Sequence, residues 1–115
     1  MLVALALAAA APSASEFYPD AYLSARDLRT KCEASDPANA SYCFAYITGV
    51  YDAVVAYEAW LNLREFCVPF RTPQADLRRT FIQFMTTNPD KAGGEAASVV
   101  VVALKQAYPC AGKTR

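Results

Sequence analysis

Apolar positions recur at helical spacing in four separate runs of this chain. In the first, Leu28 and Cys32 fall four apart on one face, while Arg26, Arg29 and Lys31 turn elsewhere. Ser24, with Asp27 three residues on, is a weak capping box that opens this helix. The string Asp36-Pro37-Ala38-Asn39 reads as a turn that closes it near Ala34. The second run is the longest. Cys43, Tyr46, Ile47, Val50, Val54 and Tyr57 sit at i, i+3, i+4, i+7, i+11 and i+14, between a cap at Ser41 and an end near Leu61. Phe44, Tyr51 and Val55 add a second apolar stripe, and Ser41, Ala45, Thr48, Asp52, Ala56 and Ala59 make a face of small residues. A helix apolar nearly all round is expected at the centre of a bundle. Gly49 lies in its middle, where glycine costs about 1 kcal/mol relative to alanine. Close approach of another backbone is the expected compensation.

The third run is Leu77, Phe81, Phe84 and Met85, opened by Thr72 as cap with Pro73 at the first position and closed before Pro89. Arg78, Arg79 and Gln83 fall on its solvent side. The fourth run, Ala97, Val100, Val101, Leu104 and Tyr108, follows Gly93 and Gly94 and stops at Pro109. Its four consecutive valines also suit a buried strand, but no other strand exists for it to pair with. The reading is therefore all-α: a small disulfide-stapled bundle of about four helices.

Ahead of the first helix, residues 2–11 form an unbroken apolar run, broken by Pro12 and Ser13. Ten residues span only about 15 Å, half a bilayer core. Small residues then give a cleavage site, so residues 1–15 read as a signal peptide and residues 16–115 as a single helical domain. No later stretch is long and apolar enough to span a membrane. Cys32, Cys43, Cys67 and Cys110 are widely and irregularly spaced, with no C-x-x-C. An even cysteine count behind a signal peptide reads as two structural disulfides, with three pairings possible.

Composition narrows the chemistry further. The chain is 55% apolar and 19% charged, which argues against disorder. Eleven basic residues balance eleven acidic ones, so charge supplies no attraction to nucleic acid. Histidine is absent, which removes Ser-His-Asp and Cys-His catalysis and the commonest metal ligand. No enzyme activity, metal or other cofactor is expected. Asp52 stands out on a small, apolar face, and its ordinary role is a hydrogen bond to a neighbouring helix.

Taken in order, the chain reads Leu28-x3-Cys32, Cys43-x2-Tyr46-Ile47-x-Gly49-Val50-x-Asp52-Ala53, Phe66-Cys67-x-Pro69, Thr72-Pro73, Asn88-Pro89, Ala96-Ala97 and Ala103-Leu104-x3-Tyr108-Pro109-Cys110. This pattern resembles the Rap/Tai family of immunity proteins associated with type VI secretion in Gram-negative bacteria. The resemblance covers residues 22–110 and is most specific at 43–53 and 108–110. Ala45 departs from it, standing where the family often has glycine. The resemblance implies a periplasmic, disulfide-bonded inhibitor, often a homodimer, that binds and blocks a peptidoglycan amidase effector delivered by neighbouring cells. A competing class is a periplasmic acid-stress chaperone, also small and helical. Such a chaperone would carry an acidic excess that this chain lacks. A helical lipid carrier of this size would need more cysteines.

Bundle topology then bears on the cysteines. About 27 Å of helix separates Cys43 from Cys67, too far for a bridge, whose Cα atoms lie within about 7 Å. An up-down bundle sets Cys32 beside Cys43 and Cys67 beside Cys110. A plug for the effector must project from the bundle. Residues 62–71 are anchored by Cys67 and Pro69, and their aromatics are expected to pack inward. Residues 86–95 are polar, contain glycine and carry no staple, so Asn88, Asp90 and Lys91 are the expected partner contacts. The apolar and small-residue helix faces are then left for dimerisation.

Overall fold

Capping side chains set where the first two helices begin. The computed structural model describes residues 21–110; the expected signal peptide and the tail beyond Cys110 lie outside the described residues. The elements are α1 (Ala25–Glu33), α2 (Pro37–Leu61), α3 (Gln74–Thr87), a 3-10 turn (Pro89–Lys91) and α4 (Ala96–Ala107). The described residues contain no strand, only an isolated bridge between Ser24 and Glu95. The fold is the all-α stapled bundle that the periodicity predicts.

Ser24 caps α1, its Oγ accepting the Asp27 N–H at 3.1 Å. α2 begins at Pro37 rather than after Ser41. The string at 36–39 is therefore a helix start and not a turn. Asp36 accepts the Asn39 N–H at 3.0 Å and the Asn39 side-chain amide at 2.9 Å. Pro37, with no N–H to leave unpaired, takes the first turn. Those two bonds, the side-chain one foremost, hold the Asp36 carboxyl below its ordinary range. α3 also differs from expectation. Thr72 donates its hydroxyl to the Pro69 carbonyl at 2.7 Å, and Pro73 takes the cap position without a side-chain bond. Arg78, expected in solvent, is half-buried. Its Nε and Nη2 donate to the Cys32 carbonyl, the former at 2.9 Å, satisfying an acceptor in the last turn of α1.

The core gathers Leu28 of α1, Ile47 of α2, Phe81 and Met85 of α3, and Val100 and Leu104 of α4. α4 buries Ala96, Val99, Val100, Ala103 and Leu104, while Ala97 and Val101 are only half-buried. Its inner face is thus turned by about one residue from the face the periodicity marks.

α2 is not central. Only Cys43, Ile47 and Glu58 of its 25 residues are buried. It is about 37 Å long, against about 21 Å for α3 and less for α1 and α4, so its neighbours are too short to cover it. A Cβ built on Gly49 meets nothing within 4 Å, so no backbone among the described residues packs there. Two disulfides staple the bundle. Cys32–Cys43 ties α1 to α2, and Cys67–Cys110 ties the segment after α2 to the end of α4, each with Cα atoms 5.0 Å apart. Such bridges fit an oxidising compartment outside the cytoplasm. No helix among the described residues is long and apolar enough to cross a membrane.

Candidate functional site

The segment at 62–71 is held from several sides. Asn62 ends α2 in the left-handed conformation at φ 50°, which asparagine tolerates. Glu58, buried in the last turns of α2, accepts the Glu65 N–H at 2.8 Å and the Phe66 N–H at 3.5 Å. Phe66 is buried and stacks on Tyr51 with centroids 5.5 Å apart. Cys67 is bridged to Cys110, and its N–H donates to the Tyr108 carbonyl at 2.8 Å. Lys105 of α4 pairs with Glu65 at 2.8 Å.

A tight turn at 69–72 stands on this platform. The Thr72 N–H donates to the Pro69 carbonyl at 3.1 Å, and Arg71 has φ 63°. Phe70 does not pack inward as expected; it is 91% exposed, with the Arg71 guanidinium 5.3 Å from its ring centroid. Beside the turn runs a cleft of about 370 Å³, bounded by Thr48, Asp52 and Tyr51 of α2 and by Phe70 and Arg71. Among the described residues, the exposed Asp52 makes no side-chain hydrogen bond to a neighbouring helix. It borders this cleft instead. At the adjoining end of α2, Tyr57 and Trp60 meet edge-on at 5.3 Å, and Trp60 and Leu61 face solvent. Among the described residues, five of the eight large exposed hydrophobic residues lie within 57–70 of the sequence, four around the end of α2 and Phe70 beside its middle; exposed apolar side chains of this kind are common at protein interfaces.

The segment at 86–95 lies at the other end of α3. Asn88 is half-buried, and both its backbone N–H and its side-chain amide donate to the Phe84 carbonyl, at 2.8 and 2.9 Å. It closes α3 instead of projecting. Asp90 and Lys91 are exposed and lie 3.8 Å apart. The segment is not loose, despite lacking a staple. The Ala25 and Arg26 N–H groups donate to the Gly94 and Ala92 carbonyls at 2.8 and 2.9 Å, and the Ala96 N–H donates to the Leu23 carbonyl at 3.0 Å. The first two bonds satisfy donors that α1 leaves open at its N-terminus. A Cβ on Gly94 would meet the Lys91 carbonyl and a Val99 methyl at 3.2 Å, a tight contact that favours glycine there.

The structure thus brings Asp90 and Lys91 together in solvent and assigns Asn88 to a helix end. Tyr57, Trp60, Phe70 and Arg71 are absent from the residues expected from sequence. A pair of prolines bracketing an aromatic and an arginine at 69–73 is the available signal for the last two. No cluster of three or more His, Cys, Asp or Glu suited to a metal occurs among the described residues. Against known families, the model of the Rap1a immunity proteins matches residues 24–110. Searches of curated proteins and of solved structures each find no match.

Proposed function

The chain belongs to the Rap1a immunity proteins, and on that premise we propose that it is a periplasmic inhibitor of a peptidoglycan amidase delivered by type VI secretion. The family suggests a non-enzymatic inhibitor acting by binding a toxin. Occlusion of the amidase active site is the mechanism we infer. The observation that carries binding is the exposed Phe70 and its neighbour Arg71 beside the cleft along α2, on a segment pinned by the Cys67–Cys110 bridge. The solvent-facing Asp90 and Lys91 supply charged contacts to the toxin, with Asn88 fixing the helix end that presents them. The uncovered side of α2, with Gly49 and the Tyr57, Trp60 and Leu61 side chains, pairs two copies into a homodimer.

The test is protection of cells that make the candidate amidase in the periplasm. The full chain is expected to restore growth, and a version lacking residues 1–15 is not. Equal protection by both contradicts the periplasmic location, and no protection by either contradicts inhibition of that toxin.

A further inference from the structure

We propose that the turn at 69–72 is an anchor, inserting Phe70 into an apolar pocket of the toxin while Arg71 pairs with a carboxylate at the pocket's rim. This rests on the reading that the chain binds a toxin. Phe66 and Phe70 lie in the same short segment, yet Phe66 is buried and Phe70 is 91% exposed. An aromatic side chain carries about 150–250 Å² of surface, and here almost all of it is left in water. Arg71 sits at φ 63°, at the third position of a turn whose first carbonyl accepts the fourth residue's N–H. Glycine fits that position without strain, and arginine does not. The Arg71 guanidinium lies over the Phe70 ring, and no carboxylate among the described residues lies within ion-pair distance of it.

The turn is also preorganised. Cys67 is bridged, the Thr72 hydroxyl and N–H both lock onto Pro69, and Pro73 follows. A rigid aromatic beside an arginine is the composition of interface hot spots, and little freedom remains to be lost on binding. The free cation selects the occupant. A second copy on a two-fold axis through this turn would bring Arg71 against Arg71, whereas a different chain can offer an acidic rim.

Calorimetric titration against a candidate type VI peptidoglycan amidase decides the matter, using full mature protein. Phe70→Ala is expected to weaken Kd by about tenfold or more. Arg71→Gly is expected to weaken it several-fold while leaving Tm equal or higher, because glycine relieves the backbone. Unchanged Kd in both variants overturns the anchor, as does loss confined to a charge-reversed Asp90 and Lys91 variant. Lost self-association in Phe70→Ala with intact toxin affinity also overturns it. If the unmodified protein does not bind, the toxin reading falls and the anchor falls with it. Circular dichroism and Tm of each variant separate lost contact from lost fold.

Discussion

Glu58 is 2% exposed, the one buried charged side chain among the described residues. Its carboxylate takes two backbone donors of the segment that follows α2. Without it, those N–H groups beside the buried Phe66 would lose their acceptor, and hydrogen bonds to a charged group contribute about 1.5–3 kcal/mol. Glu58→Ala is therefore expected to destabilise the protein by about 2–3 kcal/mol and to speed amide exchange at Glu65 and Phe66. Glu58→Gln, which keeps an accepting oxygen, should do less. Unchanged Tm and exchange in the alanine variant would refute this role. Sequence patterning singles out Asp52 instead, because it interrupts a face of small residues. The partners of Glu58 lie seven and eight residues on, in an aperiodic loop, and helical periodicity carries no information about them. Phe70 was hidden for the same reason: a loop aromatic has no period to reveal which way it points.

At the scale of elements, periodicity located all four helices, and the misplaced ends have local causes. An Asp-Pro pair both breaks a preceding helix and starts the next, so residues 36–39 read as a turn when they belong to the cap and first turn of α2. The centrality of α2 failed for another reason. A helix apolar nearly all round is either buried within its own chain or offered to another, and sequence does not separate the two. Gly49 distinguishes them. With no atom near its missing Cβ, Gly49→Ala should stabilise the monomer by about 0.5–1 kcal/mol through helix propensity alone. The check is thermal unfolding at concentrations where the protein is monomeric. A lower Tm would mean that something packs against Gly49 within the chain.

At the scale of the whole molecule, helix length, staples and surface act together. Three helices of 9, 14 and 12 residues cannot enclose one of 25, so two disulfides hold the bundle, the far end of α2 stays exposed, and the turn at 69–72 stands beside the middle of α2. We place the toxin contact at that turn, and the chain's place among immunity proteins supplies the class of partner. The family was legible in the ordered cysteine, glycine and proline positions. The proposed binding surface was not, because exposure depends on which helix is too long for its neighbours. The most direct test is a titration of the candidate amidase, hydrolysing peptidoglycan, with increasing amounts of this protein. Inhibition by occlusion predicts activity falling in proportion to added protein and vanishing near one binding site per enzyme, whereas full hydrolysis in the presence of excess protein would contradict it.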